Sequence, residues 1–294
     1  MLKIEHLSKT YRKHKALNDC SFEAKAHEIH GILGQNGCGK STLFKSIMGL
    51  IDPDQGEIYF KGSKITFKDR KRFGYMPEQR SLFMDLSVLE QALFLGELKG
   101  MSKDLIHARL EQLMKLLKFE KAVSTKIVYL SKGQQQKLQL ILALLHDPDV
   151  LILDEPLNGL DYFSVQLFME VLRQWASEGK LILISSHQMD FMDDLCTHVL
   201  VLNKGNIIHQ GELNVLAQSE AVCISINADS NWQGLSNTHV QVEDKGSNVE
   251  FRYDSLDEAK KMIMKMSKER SITRLNLHTP SMSEYLEFDQ CERS

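Results

Sequence analysis

One glycine-rich loop constrains the fold of this chain more than any other stretch of its sequence. The residues GQNGCGKST, Gly34 to Thr42, match the spacing GxxxxGK[ST]. The loop follows the strand-like run FEAKAHEIHGIL and precedes a helical pattern whose apolar face carries Leu43, Phe44, Ile47 and Met48. A strand, a loop and a helix in this order predict an α/β fold with the loop at the end of a buried strand.

The composition of this loop suits the binding of phosphate groups. Its glycines let backbone N–H groups wrap a phosphate, Lys40 reaches the outer phosphates of a nucleotide, and the Ser41 hydroxyl ligates Mg²⁺. A plain glycine-rich turn is the alternative for the motif alone, but the flanking strand and helix favour a phosphate loop. The predicted phosphate-binding residues are Gly34, Gln35, Asn36, Gly37, Cys38, Gly39, Lys40, Ser41 and Thr42.

Two acidic residues end a second apolar run, LILDE. Asp154 would lie against Mg²⁺, where its charge is compensated, and Glu155 would polarise a water that attacks the terminal phosphate. Adjacent acids at a strand end can also cap a helix, but a phosphate loop in the same chain favours the metal and base roles. His187, after the run LILISS, is either a surface imidazole or a contact for that phosphate, because ligands bind at the carboxyl ends of parallel strands.

A second helix start is open to an anion. In LSKGQQQKLQL, Ser131, Gly133 and Gln134 precede apolar residues at helical spacing. The free N–H groups of a helix N-terminus bind anions. The chain has one phosphate loop, and that loop precedes a different helix. The phosphate loop therefore does not identify the anion that this second helix start would bind.

Apolar periodicity divides the chain into two domains. Residues 1–212 combine apolar runs typical of parallel strands, an antiparallel side layer within residues 56–67 and a helical subdomain at about 85–145. Residues 213–294 alternate strand candidates with helices, one of them opened by the capping pair Ser255 and Glu258. We expect an α/β core with a mixed sheet, followed by a small α+β accessory domain.

Charge, cysteine spacing and the length of the apolar stretches limit the partners and the cellular location that the sequence predicts. The 36 Lys and Arg residues against 39 Asp and Glu residues give a net charge of -3, so no nucleic-acid partner is expected. The five cysteines show no CxxC or paired spacing, which fits a reducing cytoplasm. No stretch approaches the roughly 18 uncharged residues of a membrane span. If the protein works at a membrane, another chain must span it.

Taken together, the motifs resemble those of one family. The phosphate loop, Gln79 in YMPEQ, LSKGQ, LILDE, NGLD ending at Asp161, and His187 follow the order and approximate spacing of the ATP-binding subunits of ABC transporters. The resemblance covers residues 1 to about 212 and is greatest to the ATPases of ABC-2 type exporters, which include sodium-efflux and drug or bacteriocin export systems. It implies a P-loop ABC ATPase fold, ATP and Mg²⁺ as cofactors, and active ATP hydrolysis.

The resemblance also implies roles for particular residues. Tyr11 would stack on adenine, Gln79 would contact Mg²⁺ and the attacking water, and His187 would contact the γ-phosphate. In this family two nucleotide domains meet head to tail, and the LSKGQ helix of one closes on ATP held by the other. The partner would be a second copy of the chain or a homologous ATPase subunit. The residues implied at the nucleotide across this dimer are Ser131, Gly133, Gln134 and Asp161.

By the same resemblance the chain is a peripheral subunit at the cytoplasmic face of the cell membrane, bound to a permease in a separate chain. The segment RSLFMDLSVLEQ would face that permease; Phe83 and Met84 are too apolar for a solvent loop, with ordinary core packing as the alternative. A soluble ABC ATPase acting on ribosomes, DNA or an assembly scaffold is the rival function. The single phosphate loop and the lack of a long heptad insertion disfavour the ribosome and DNA classes.

Four positions depart from the family pattern: Cys38, Lys132, Asn158 and Tyr162. Lys132 stands where the signature usually has glycine, which removes one close backbone approach to the γ-phosphate and adds a cation. Tyr162 follows Asp161 where proline is usual. The expected phosphate and metal residues are all present, so we expect an active ATPase rather than an ATP-gated binding protein.

Overall fold

The structure, a computed structural model, describes residues 1–79, 81–186, 189–213, 222–227, 242–245, 248–253, 260, 261, 263, 264 and 274–278. These residues belong to two compact units, Met1–Gly211 and Glu212–Ser294. The division lies beside residue 213, where the sequence predicts a boundary. The domain roles assigned on either side stay predictions.

A six-stranded sheet lies at the centre of the first unit, in the order β10-β9-β3-β8-β7-β6. Its strands are β3 Ile29–Leu33, β6 Phe73–Met76, β7 Val150–Asp154, β8 Leu181–Ser185, β9 His198–Asn203 and β10 Asn206–Glu212. The pairs β6–β7, β7–β8, β3–β8 and β3–β9 are parallel. β3, β7 and β8 are buried along their whole length, as their continuous apolar runs predict.

The predicted antiparallel side layer is a four-stranded sheet in the order β2-β1-β4-β5. Its strands are β1 Leu2–Tyr11, β2 His14–Ala24, β4 Gln55–Phe60 and β5 Ser63–Lys64. Apolar side chains from this sheet, from the six-stranded sheet and from the helix Lys40–Met48 form one core. Leu43, Phe44 and Ile47 of that helix are fully buried, which confirms the apolar face that the sequence predicts.

Three of the helices form the predicted helical subdomain. The helices are α1 Lys40–Met48, α2 Val88–Leu98, α3 Lys103–Leu116, α4 Lys132–Leu144, α5 Tyr162–Ser177 and α6 Met189–Leu195. α2, α3 and α4 contact one another, and α4 also contacts β6 of the central sheet. Among the described residues, no helix combines the length and apolarity needed to cross a bilayer.

The described part of the second unit is mainly a four-stranded antiparallel sheet in the order β12-β13-β11-β14. Its strands are β11 Val222–Asn227, β12 Val242–Lys245, β13 Asn248–Tyr253 and β14 Arg274–His278. Residues 260, 261, 263 and 264 are helical. Sheet and helix in this unit agree with the predicted α+β class. The capping pair Ser255 and Glu258 lies outside the described residues.

Candidate nucleotide site

The glycine-rich loop between β3 and α1 has a backbone conformation that residues with a side chain rarely adopt. Gly34, Gly37 and Gly39 have φ values of 143°, 80° and 119°, in the region that favours glycine. A Cβ at Gly34 would lie 2.2 Å from the carbonyl oxygen of Leu202, and one at Gly39 would lie 2.3 Å from that of Ala16. The spacing of these glycines in the motif therefore follows from positive φ and close backbone contact.

Lys40 holds a positive charge against this loop. Its Nζ donates hydrogen bonds to the carbonyl oxygens of Gly34 (2.6 Å) and Gln35 (3.3 Å), and the residue is buried. Lys40 is also the first residue of α1, and the residue before it, Gly39, provides no side-chain cap. The N–H groups at this helix start and the ammonium group are thus arranged to bind an anion.

The two predicted carboxylates follow one another at the end of β7. Asp154 is 2% exposed and its Oδ1 accepts a hydrogen bond of 2.7 Å from the Ser185 hydroxyl. Glu155 is 3% exposed, and its N–H donates to the carbonyl and the hydroxyl oxygen of Ser185, both at 3.1 Å. Glu155 has a φ of 52°, a left-handed conformation uncommon for this residue type. Ser185, at the end of β8, therefore positions both acids, and sequence reasoning missed it.

A cavity of about 290 Å³ brings several of the predicted residues together. The exposed ring of Tyr11 lies at its wall, and the phosphate loop, the start of α1 and the two carboxylates form the rest. Three lining residues were not predicted, His14, Ala16 and Glu78. The complete lining is Tyr11, His14, Ala16, Asn36, Gly37, Gly39, Lys40, Ser41, Thr42, Glu78, Asp154 and Glu155.

Other predicted site residues lie outside this cavity lining. Gln79 is exposed and follows Glu78, which does line it. Cys38 packs in the hydrophobic core, where burial raises the pKa of its thiol. Gly34 and Gln35 contribute carbonyl oxygens to Lys40. His187 lies outside the described residues.

The LSKGQ stretch forms the start of α4 with a reciprocal cap. The Ser131 Oγ accepts from the Gln134 N–H (3.3 Å), and the Gln134 Oε1 accepts from the Ser131 N–H (2.9 Å). Gly133 lies between them, and a Cβ there would be 3.8 Å from the Gly159 carbonyl oxygen. The S-x-x-Q spacing is itself a sequence signal for this capping box.

α4 is also bonded to the segment that carries the second carboxylate. The Gln136 side chain is 5% exposed and its Nε2 donates to the Pro156 carbonyl oxygen at 2.9 Å. Pro156 directly follows Glu155, so α4 and the end of β7 are joined beside the site. Sequence periodicity gives no signal for this bond, because a buried glutamine interrupts the apolar face.

Asp161 caps α5 in this structure. Its carboxylate accepts hydrogen bonds of 2.9 Å from the N–H and from the hydroxyl of Ser164. These bonds hold the pKa of Asp161 below its ordinary value. Asp161 does not line the cavity.

Comparison with known proteins assigns the family. The sequence profile of the ABC transporter family matches residues 17–158. An uncharacterized ABC transporter ATP-binding protein of Bacillus subtilis, YhaQ, is 32% identical over 285 residues, which are 96% of this chain and 96% of that protein. The chain belongs to the ABC transporter ATP-binding proteins. The resemblance inferred from the motifs is confirmed.

Further members of the family are similar over the nucleotide-binding unit. The Nod factor export ATP-binding protein I of Burkholderia lata is 36% identical over 223 residues, 75% of this chain and 73% of that protein. A dimeric ATP-binding cassette, solved in a post-hydrolysis state with ADP and Pi, is 26% identical with a TM-score of 0.67. That comparison covers 72% of this chain and 99% of the cassette. As an ABC ATPase, this chain binds nucleotide and hydrolyses ATP.

Proposed function

We propose that this ABC ATPase drives export of a substrate through a separate membrane permease. The proposal rests on one observation: Tyr11, Lys40, Asp154 and Glu155 line the same cavity. The similarity to a Nod factor export ATP-binding protein supports export as the direction. The rival role on a ribosome, DNA or assembly scaffold has no such support.

The residues of the cavity fit ATP with Mg²⁺. Tyr11 offers an exposed ring to the adenine base, and the loop amides with Lys40 neutralise the phosphates. Asp154 and the Ser41 hydroxyl at the cavity wall, with Gln79 next to the lining residue Glu78, would supply the oxygen ligands that Mg²⁺ prefers. When bound, Mg²⁺ would offset charge on the β- and γ-phosphates.

Within this site Glu155 is the proposed general base. Its carboxylate is buried at the cavity wall, one residue from Asp154, and its backbone is held by Ser185. It would orient a water molecule in line with the γ-phosphate and accept its proton. The γ-phosphate contact assigned to His187 remains part of the proposal.

A second ATPase subunit would complete the site. The capping box orders the start of α4 through Ser131 and Gln134, and the N–H groups of that turn and the helix dipole favour an anion. We assign this terminus, with Gly133, to the γ-phosphate held by a second copy or a homologous subunit, and Asp161 to the same contact. Closure of the dimer would then depend on ATP.

An exposed apolar surface supports docking to a membrane protein. Phe83 and Met84 are 52% and 38% exposed, so the alternative that they pack in the core is wrong. Phe83 stacks edge to face with the half-exposed Phe94 at 5.6 Å between ring centroids. Beside them, a cavity of about 200 Å³ is lined largely by apolar residues such as Leu82, Leu95 and Leu98. We assign this surface to a cytoplasmic segment of the permease, at the inner face of the membrane.

Co-purification and turnover test the proposal together. The tagged protein would be purified from native membranes, and ATPase activity measured for it, for Glu155→Gln and for the exposed control Glu170→Gln. We expect a polytopic membrane protein to co-purify, and Glu155→Gln alone to lose about 100-fold or more in turnover while still binding ATP. Recovery with ribosomes, DNA or a soluble scaffold would establish the rival function. Normal turnover in Glu155→Gln would remove Glu155 from its role.

A further inference from the structure

Three side chains of types that commonly bind metal ions meet at the amino end of β3. The phosphate loop lies at the opposite end of this strand. The Nε2 atom of His30 lies 2.8 Å from Oε2 of Glu28, and Nε2 of His198 lies 3.7 Å from Oε1 of the same carboxylate. One ligand atom from each residue lies within 4.8 Å of the other two. Because Gly34 is four residues beyond His30, the cluster is about 13 Å from the phosphate loop along the strand.

The backbone holds the two histidines side by side. His30 of β3 and His198 of β9 are direct partners in the parallel ladder. Their rings stack at 4.8 Å between centroids with 13° between planes. The Lys25 N–H donates to Oε2 of Glu28 at 2.7 Å, which fixes the carboxylate against the strand ends. The three side chains are thus brought together by the fold rather than by flexible surface contacts.

Thr197 contacts the ring nitrogen of His198 that does not face Glu28. The Thr197 hydroxyl donates its hydrogen to the Ile29 carbonyl oxygen (3.2 Å) and accepts from the Ile29 N–H (2.9 Å). The same hydroxyl lies 3.0 Å from Nδ1 of His198, and in the tautomer with hydrogen on Nδ1 it accepts that hydrogen. In that tautomer the lone pair of His198 is on Nε2, the atom that faces Glu28. This outer hydrogen bond is the kind that orients histidine ligands in metal sites.

Burial and exposure also suit a metal ligand set. The His30 side chain is 6% exposed, so its ring is held inside the fold. Glu28 and His198 are 18% and 22% exposed, so one side of the cluster is open to water.

We propose that Glu28, His30 and His198 bind one divalent transition-metal ion, with Zn²⁺ the best fit. Two imidazoles and one carboxylate form a three-ligand set that Zn²⁺ accepts with water as the fourth ligand. Tetrahedral bonds of 2.0–2.1 Å place ligand atoms about 3.3 Å apart, whereas the ligand atoms here lie within 4.8 Å of one another and the two rings are stacked at 13°. The imidazole rings must therefore turn towards the ion when it binds. The ion would take the place of the hydrogen between Nε2 of His30 and Oε2 of Glu28, and the His30 ring would then carry its hydrogen on Nδ1.

This site is distinct from the proposed Mg²⁺ site at the nucleotide. Imidazole ligands favour Zn²⁺ and neighbouring transition metals, whereas Mg²⁺ favours oxygen ligands. The ion would bind the turn before β3, β3 itself and the start of β9. Because β3 leads into the phosphate loop, we expect the ion to stabilise the folded first unit.

Metal binding to the full chain tests the proposal. Chelator-treated protein without nucleotide would be titrated with Zn²⁺ in millimolar Mg²⁺, which occupies the oxygen-only sites. Bound metal would be counted by mass spectrometry, and Co²⁺ would report histidine ligation by visible absorption. The variants are His198→Ala and Glu28→Gln, and the control is His107→Ala, an exposed histidine on α3.

We expect the wild type and His107→Ala to bind one Zn²⁺ per chain and to melt at a higher temperature with it. His198→Ala should bind Zn²⁺ at least about 100-fold more weakly, because it loses a direct ligand. Circular dichroism would establish that each variant is folded; if His198→Ala is not, Glu28→Gln gives the same comparison without removing volume. Equal Zn²⁺ binding in wild type and both ligand variants, or none in the wild type, overturns the proposal.

Discussion

At the residue scale, substitution of Gly133 should affect the stability of the chain and its ATPase turnover differently. Gly133 has a helical backbone, and an added Cβ would make only ordinary contacts at 3.8 and 4.0 Å. Gly133→Ala should therefore keep or raise the melting temperature, since alanine is favoured over glycine in helices by up to about 1 kcal/mol. A methyl group would nevertheless obstruct the close approach of a second subunit's γ-phosphate. We expect at least a tenfold loss of ATPase turnover, measured beside thermal unfolding.

Two other glycines serve as controls for this substitution. Gly39→Ala should lose both stability and ATP binding, because its φ is 119° and its Cβ would meet the Ala16 carbonyl at 2.3 Å. Gly211→Ala, where a Cβ has open space apart from a ring atom at 4.0 Å, should change neither quantity. Wild-type turnover in Gly133→Ala would contradict the assignment of the α4 terminus.

Ser185 gives a second prediction at this scale. Ser185→Ala removes the 2.7 Å hydrogen bond to Asp154, a carboxylate that is 2% exposed. Losing a partner of a buried charged group costs about 1–3 kcal/mol, so we expect the free energy of unfolding in urea to fall by that amount. The matched control is Ser46→Ala, a buried serine bonded to the carbonyl of Thr42, which should cost less. Equal costs would mean that the carboxylate does not depend on Ser185.

At the element scale, the fold was predictable where chemistry is local. The apolar runs of β7 and β8, the phosphate loop and the apolar face of α1 follow from periodicity and from fixed motif spacing. The order β10-β9-β3-β8-β7-β6 could not be derived, because it pairs segments far apart in the chain. The same limit hid Ser185 and Gln136, whose roles depend on which carboxylate or carbonyl group lies opposite them.

The junction between α4 and β6 predicts a pH effect. Nε2 of His146, just beyond α4, lies 3.1 Å from the Phe73 carbonyl oxygen, and burial lowers its pKa to about 4 from 6.5. The unfolded chain therefore binds a proton below about pH 6.5 that the folded chain binds only near pH 4. Stability from this group is present above pH 6.5 and is lost as the pH falls towards 4.

His146→Gln tests this effect, because an amide can still donate to Phe73 but does not titrate in this range. The free energy of unfolding would be measured by urea titration between pH 7 and pH 4. We expect a shallower decline for His146→Gln than for the wild type, and no change in slope for the exposed control His107→Gln. Parallel curves for all three proteins would show that another group controls the acid sensitivity.

At the scale of the whole molecule, two candidate sites lie at opposite ends of β3 in the central sheet. The carboxyl end leads into the phosphate loop and faces hard, oxygen-rich ligands, whereas the amino end brings two imidazoles and a carboxylate together. The segment 81–98 adds an apolar surface on the helical subdomain. These three features use different residues, so each can be tested by its own substitutions.

The apolar surface is tested by Phe83→Ser. Phe83 is 52% exposed but packs edge to face on Phe94, so its loss should lower the free energy of unfolding by only about 0.5–1.5 kcal/mol. If the ring is an anchor for the permease, its truncation should cost about 2 kcal/mol of binding, a roughly 30-fold weaker complex.

The control is Phe67→Ser, which removes a ring that is 78% exposed on the turn before β6. Binding would be measured as the amount of permease that co-purifies at equal protein levels. If Phe83→Ser recovers as much permease as the wild type, or if Phe67→Ser loses as much as Phe83→Ser, the docking surface lies elsewhere. The exposure of an aromatic ring would then not be enough to predict where the membrane partner binds.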